Sequence, residues 1–144
     1  MPPKSSGPKA SWNPAEVDAL IKYLHRHRFE AGDNGNFKSN LYTSAAAHIS
    51  EFLTEGPPKT RDMVKNKWVS HIRRIYHDIE GYRLKSGHHW DNTRGAGVQG
   101  TFDEQVFDDC VKTFPQIRPF KQSGWQYYNL VADIIPNSGA HGTN

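Results

Sequence analysis

The segment from residue 60 to 79, TRDMVKNKWVSHIRRIYHDI, combines an apolar stripe with side chains that are able to bind nucleic-acid bases. Lys65 and Asn66 have the relevant chemistry. A lysine ammonium donates to guanine O6 and N7, and an asparagine amide pairs with adenine N6 and N7. A single helix also fits the width of the DNA major groove. The pattern therefore indicates contacts with duplex DNA, and the alternative is a core helix whose basic face is simply solvated.

An amphipathic helix is needed to position these side chains. Successive residues of an α-helix advance by about 100°. One stripe then collects the large apolar residues Val64, Trp68, Ile72, Ile75 and Ile79. The adjoining face collects Asp62, Asn66, Val69, Ser70 and Arg73, with Lys65 at its margin. We predict that the apolar stripe faces the core and that the helix extends toward Leu84 before Ser86 and Gly87 end it.

Positive charge is concentrated in the same segment. Between Lys59 and Arg74 there are six Lys or Arg residues and one acidic residue, Asp62, whereas the formal net charge of the whole chain is +3. The sequence pI near 9.0 suits a polyanionic partner. Because the whole chain carries less positive charge than this one segment, the remainder must be slightly acidic.

Length and composition predict one folded domain. The chain has 144 residues, with four Trp, six Tyr and seven Phe, so it has enough apolar side chains for a core. The single cysteine, Cys110, excludes an intramolecular disulfide. No apolar run approaches the ~20 residues of a membrane span, and the first residues lack a secretory pattern. We expect a soluble intracellular protein without membrane association, with a disordered lead over 1–10 and a flexible tail over 136–144.

Two helices are predicted before the basic segment. Asn13, Pro14 and Glu16 are typical of a helix start, with Asn as the cap, Pro at the first position and Glu at the third. The first helix should bury Val17, Leu20, Ile21 and Leu24 and run to about Arg28. A long loop anchored by Phe37 follows. The second helix, capped by Ser39 or Asn40, should bury Leu41 or Tyr42, Ala45, Ile49, and Phe52 or Leu53. Gly56, Pro57 and Pro58 end it, and Thr60 caps the next helix.

Two further helices are predicted after a loop over 88–100. The sequence from Thr101 to Glu104 has the pattern of a capping box. The helix that it opens has an apolar side formed by Val106, Phe107, Cys110, Val111 and Phe114. Residues 115–124 are predicted to be a loop, and a last helix should cover about 125–135 and bury Trp125, Tyr128, Val131 and Ile134 or Ile135. The predicted fold class is therefore all-α.

Several of these residues together resemble a known family. Trp12, an aromatic residue in the second helix, and the string from Val64 to Trp68 are similar to the Myb/SANT-like DNA-binding domains, in particular the extended plant, fungal and transposon-associated type. Tyr76, followed by Ser-Gly-His-His-Trp-Asp over 86–91, also resembles an element of that group. The resemblance covers about residues 11–135. It implies a three-helix helix-turn-helix core over 11–87, with a C-terminal helical extension over 88–135 packed on that core.

The resemblance also implies a role for each basic residue. The third helix would enter the major groove, with base contacts from Lys65, Asn66, Val69 and Arg73. Phosphate contacts would come from Lys59, Arg61, Lys67 and Arg74, since such contacts position a protein on DNA without selecting sequence. The implied protein is a transcription-related or transposon-derived regulator in the nucleus. Its partner is double-stranded DNA, and a homodimer or a separate protein subunit remains open as a further partner.

Other functions are weighed against this one. A SANT-type module that binds histone tails or another chromatin partner is the main alternative, because Asp103, Glu104, Asp108 and Asp109 form an acidic patch. Stacking of Trp90, Trp125, Tyr127 and Tyr128 on unpaired bases is a minor one. The sequence contains no phosphate loop, nucleophile elbow or zinc-ligand spacing. We therefore predict that the chain is not an enzyme and that it needs no cofactor and no metal.

Overall fold

The computed structural model describes residues 9–86 and 89–136, and this part of the chain is all-α, without β-strands. It contains six helices: α1 (Pro14–Arg26), α2 (Ser39–Ile49), α3 (Arg61–Asn66), α4 (Arg73–Ser86), α5 (Gly100–Thr113) and α6 (Tyr128–Ile134). A π-helical segment (Lys67–Ile72) joins α3 to α4 without a break. We call residues 61–86 the long helix. The predicted lead and tail lie outside the described residues, apart from 9–10 and Pro136.

The chain divides into two compact units, one formed by residues 1–67 and 133–144 and the other by residues 68–132. One boundary falls inside the π-helical segment, after Lys67, and the other falls inside α6, after Ala132. Within the described ranges, each helix is too short or too polar to cross a membrane.

In the first unit α1 packs against α2, and α2 packs against α3. The predicted start of α1 is confirmed: the Asn13 side chain accepts a hydrogen bond from the Glu16 backbone N–H, and the Glu16 carboxylate accepts one from the Asn13 N–H. Leu20, Ile21 and Leu24 are fully buried as predicted, whereas Val17 is only half-buried. The helix ends at Arg26 rather than at Arg28, where a short 3₁₀ helix (Arg28–Glu30) begins.

The apolar side of α2 agrees with the prediction. Leu41, Tyr42, Ala45 and Ile49 are buried. Phe37 is buried in the preceding loop and packs edge-on against Tyr42, with 6.0 Å between ring centroids. Phe52 is 38% exposed and Leu53 is half-buried, so the core face ends with the helix. Neither Ser39 nor Asn40 is the cap, because the helix already begins at Ser39 and Lys38 precedes it without a side-chain hydrogen bond.

In the second unit a 3₁₀ helix (Pro115–Phe120) contacts both α4 and α5, in a region that was predicted to be a loop. Gly81 of α4 lets the Phe114 ring approach closely, because a Cβ at that position would lie 2.3 Å from the ring and the ring would have to shift. The Gln116 backbone N–H also donates to the Asp78 carboxylate at 2.9 Å. The segment that follows α5 is therefore held directly against α4.

Helix α5 begins earlier than predicted. The Thr101 capping box is wrong: the helix starts at Gly100, and the Asp103 carboxylate accepts a hydrogen bond from the Gln99 backbone N–H at 3.1 Å. Phe107, Cys110 and Val111 are buried as predicted, and burial raises the pKa of the Cys110 thiol. Asp103 is the fourth residue of the helix, one beyond the N3 position of a capping box, and the N-cap residue Gln99 makes no side-chain cap hydrogen bond.

The loop between α4 and α5 is built on backbone hydrogen bonds. Ala96 N–H donates to Phe120 O at 2.9 Å, Val98 N–H to Lys121 O at 3.1 Å, and Gly124 N–H to Thr93 O at 3.1 Å. The two segments approach so closely that a Cβ on Gly124 would lie 2.1 Å from Asn92 O. The last helix begins at Tyr128 rather than near Trp125, while Trp125, Val131, Ile134 and Ile135 are buried.

The π-helical segment sets the register of the long helix. The buried residues recur every fourth position over three intervals, at Val64, Trp68, Ile72 and Tyr76, and then at Ile79 and Tyr82. In a regular α-helix three steps of four residues would rotate the stripe by about 120°. A π-helix places more residues in each turn, since its hydrogen bonds join i to i+5. The predicted burial is therefore confirmed for Val64, Trp68, Ile72 and Ile79 and wrong for Ile75, which is only half-buried.

This register predicts unequal costs for two identical substitutions in the second unit. We expect Ile72→Ala to lower the free energy of unfolding by about 2–5 kcal/mol, because it leaves a cavity at a buried site. Ile75→Ala should cost less than about half as much, because its side chain is already partly hydrated. Urea denaturation of both variants measures the difference. Since the two substitutions change helix propensity equally, comparable losses would contradict the π-helical register.

Candidate nucleic-acid interface

The start of the long helix is fixed by two features of the first unit. The Thr60 hydroxyl accepts a hydrogen bond from the Met63 backbone N–H at 3.2 Å, which confirms the predicted cap. One residue earlier, the Lys59 ammonium donates to the Glu16 carboxylate at 2.6 Å. The side chains of this pair are 0% and 1% exposed. Glu16 therefore serves both the cap of α1 and the segment that leads into α3.

Trp12 covers the same region. Its ring centroid lies 5.3 Å from Lys59 Nζ and 5.6 Å from Lys67 Nζ, and both distances are within the range of cation–π attraction. Burial lowers the pKa of Lys67, which is half-buried. The tryptophan that the sequence analysis placed at the start of the folded part is thus a contact for two of the cations predicted to bind phosphate.

The contacts of Lys59 and Lys67 within the protein alter the roles predicted for these two residues as phosphate contacts. Lys59 does not fit that role, because its ammonium is buried and already bound to Glu16. Lys67 keeps only part of its side chain at the surface. Arg61 and Arg74 are exposed, as the role requires. Arg61 Nε lies 3.1 Å from the Asp62 carboxylate, in a pair whose two side chains are mostly solvated.

The predicted base contacts fall into two sets. Lys65 and Asn66 are exposed, whereas Val69 and Arg73 are half-buried. Because buried positions recur every four residues, exposed ones do as well. The fully exposed ridge consists of Asp62, Asn66, Ser70 and Arg74. We call these four residues the outward ridge. Lys65, Val69 and Arg73 follow one another along its flank.

The face that carries Asn66 therefore differs from the predicted one in its arginine. The predicted face carries Arg73, but the outward ridge ends with Arg74. The signal was present in the sequence as four large apolar residues at intervals of four, from Val64 to Tyr76. Tyr76, which also belongs to the element that resembles the family, is thus a core residue.

The register of the long helix also determines which charged side chains lie near one another on the flank. Burial lowers the pKa of His77, and the positive charge of Arg73 lowers it further, against opposing effects of Asp78 and Glu80. The positive charge of Arg73 thus disfavours a second positive charge on this flank. Among the described residues, Lys65 and Arg74 have no carboxylate within ion-pair distance. Their charge is directed to solvent and is accessible to a polyanion.

Comparisons with known proteins found no matching family model and no match among curated proteins or solved structures. The class of protein that the described structure defines is all-α. A more specific assignment rests on the residues of the long helix.

The buried pair predicts a large effect from an apparently simple charge removal. We expect Lys59→Met to lower the free energy of unfolding by about 3–5 kcal/mol, because it leaves the Glu16 carboxylate buried without its cation. Glu16→Gln should also destabilise the protein, and the double variant should lose less than the sum of the two single losses. Chemical denaturation of the three variants gives the coupling free energy.

Lys22→Met is the matched control. Lys22 pairs with Asp18 on α1 at 3.1 Å, but the two side chains are 57% and 39% exposed. Its removal should cost less than about 1 kcal/mol, as is usual for solvated pairs. If Lys22→Met and Lys59→Met had equal effects, the assignment of Lys59 to a buried pair would be wrong.

Proposed function

We propose that the chain binds double-stranded DNA through the outward ridge of the long helix and its flank. The observation that carries this proposal is the exposure of Lys65, Asn66 and Arg74 on one continuous helix whose opposite stripe is buried. These side chains donate hydrogen bonds to base edges and phosphates. Asp62 and Ser70, the other members of the ridge, are also polar, so the ridge presents no apolar side chain to the hydrated surface of DNA.

Pre-organisation of the helix start supports the proposal. The Thr60 cap and the Glu16–Lys59 pair hold the first turn of α3 in place before any partner binds. A side chain on a rigid element loses less conformational freedom when it binds. Lys65 and Asn66 stand about one turn after this fixed start.

The polar residues from Lys59 to Arg74 have separate roles in the proposed complex. Lys65 and Asn66 contact bases, with Val69 and Arg73 at the edge of the contact. Arg61 and Arg74 contact phosphates on either side, and Lys67 adds a weaker phosphate contact because it is half-buried. Lys59 has a structural role. The resemblance to Myb/SANT-like domains agrees with this assignment at Lys65 and Asn66, and it is the basis for proposing a nuclear regulator.

The division of roles is testable by selection and titration. Duplexes are first enriched from a random pool with the unaltered chain, and binding is then measured by fluorescence anisotropy at two salt concentrations. Arg61→Ala and Arg74→Ala should weaken all duplexes alike and lower the salt slope by about 0.9 each. Lys65→Ala and Asn66→Ala should instead remove about 1–3 kcal/mol of discrimination between the enriched duplex and a scrambled one.

Lys22→Ala is the control, because it removes the same charge from an exposed position on α1. It should leave both affinity and discrimination nearly unchanged. Absence of binding to every duplex at low salt would end the proposal. Equal behaviour of the Lys65, Asn66 and Arg74 variants would leave DNA binding intact but refute the separate roles.

A further inference from the structure

A cavity of about 410 Å³ lies within the second unit, between α4, the loop that follows it and the first turns of α5. Its walls include three aromatic side chains, Tyr82, Phe102 and Phe107, together with the His89 imidazole and the Asp103 carboxylate. The Tyr82 and Phe107 rings meet edge-on, with 6.1 Å between centroids. Within the described part of the chain, the lining contains neither lysine nor arginine.

Phe102 is the residue at this cavity that the fold does not explain. Its side chain is 75% exposed, whereas the buried side of α5 is formed by Phe107, Cys110 and Val111. A single exposed apolar side chain is ordinary on a protein surface, but Phe102 also lines the cavity beside Tyr82 and Phe107, so its ring is available to a group bound there. The ring is thus placed to contact a bound group rather than the core.

The charge at the cavity is negative. Asp103 is exposed and is held in place by the Gln99 backbone N–H. Burial raises the pKa of Tyr82, and interactions with Cys110 and with the Asp103 carboxylate raise it further, so Asp103 acts on the same ring that lines the cavity. His89 Nε2 lies 3.0 Å from the Asp91 carboxylate, which offsets the charge of the imidazole when it is protonated.

We infer that this cavity binds the N-methylated ammonium group of a lysine side chain in a peptide. The faces of aromatic rings attract cations, and methylation makes an ammonium ion easier to remove from water. The apolar walls suit the methylene stem of such a side chain. The exposed Asp103 carboxylate makes the cavity acidic, which disfavours a choline headgroup because its phosphate would lie beside this carboxylate. Glu104, the next residue, is already paired with Lys121 at 3.2 Å.

The experiment uses the full, ¹⁵N-labelled chain without DNA, so its outcome is independent of the proposed DNA binding. A short peptide with one Nε-trimethyllysine is titrated and compared with the unmodified peptide, with its neutral carbon isostere and with phosphocholine. Backbone amide shifts of Gly97, Val98 and Phe102 report binding at the cavity. The trimethylated peptide should bind at least about fivefold more tightly than each of the other three, the size of one cation–π contact.

Substitutions at the cavity have matched controls. Phe102→Leu keeps an apolar side chain but removes the ring, and should weaken the trimethylated peptide about fivefold, while Phe102→Tyr should retain binding. Phe29, 86% exposed in the first unit, provides the control Phe29→Leu, which should have no effect. Asp103→Asn keeps the acceptor for Gln99 N–H and should weaken binding more than Glu104→Gln does.

Three results would overturn the inference. Equal affinity for the neutral isostere would show a merely apolar cavity. Binding of phosphocholine as tight as that of the trimethylated peptide would show that the cavity does not select a methylated ammonium group on a lysine side chain. Amide shifts absent from Gly97, Val98 and Phe102 would place any binding elsewhere.

Discussion

The buried ion pair between Glu16 and Lys59 is the constraint on which the geometry of the first unit depends. Removal of two charges from water costs several kcal/mol for each ion, and this cost is offset only when the geometry is good and the remaining acceptors are satisfied. Here Glu16 meets both conditions, since its second oxygen accepts the Asn13 N–H while Trp12 lies beside the Lys59 ammonium. The pair thereby links the N-terminus of α1 to the residue before the Thr60 cap. A consequence for function is that Lys59 cannot serve a polyanion, so binding depends on the exposed cations that follow it.

The sequence predicted well those elements whose signals are local. Asn13, Pro14 and Glu16 define a helix start through contacts within four residues, and Thr60 does so through one hydrogen bond to Met63. The apolar face of α2 follows from its helical period alone. Such features need no knowledge of distant residues, which explains why the all-α class and the positions of α1, α2 and the long helix were predictable.

The features that were missed depend on residues that are distant in sequence or on a departure from ideal geometry. Nothing near Lys59 in the sequence indicates that its partner is Glu16, 43 positions earlier, and a lysine in a basic run is by itself expected to be exposed. The 3₁₀ helix (Pro115–Phe120) depends on its packing against α4 and α5. The cavity beside Phe102 also involves three separate segments and has no local signature. Features that rest on contacts between residues close in sequence were therefore predictable, whereas features that rest on contacts between distant segments were not.

The π-helical segment shows how one local departure alters a functional assignment. In a regular α-helix Arg73 would stand within about 20° of Asn66, because seven residues make nearly two turns, and Arg74 would be about 80° away. The four-residue period of the observed helix exchanges them, so that Arg74 joins Asn66 on the outward ridge and Arg73 moves to the half-buried flank that also carries Val69. Burial lowers the pKa of His77, and the charge of Arg73 on this flank lowers it further. Since π-helical turns often occur at functional positions, the segment from Lys67 to Ile72 is best regarded as the element that selects which arginine the long helix presents.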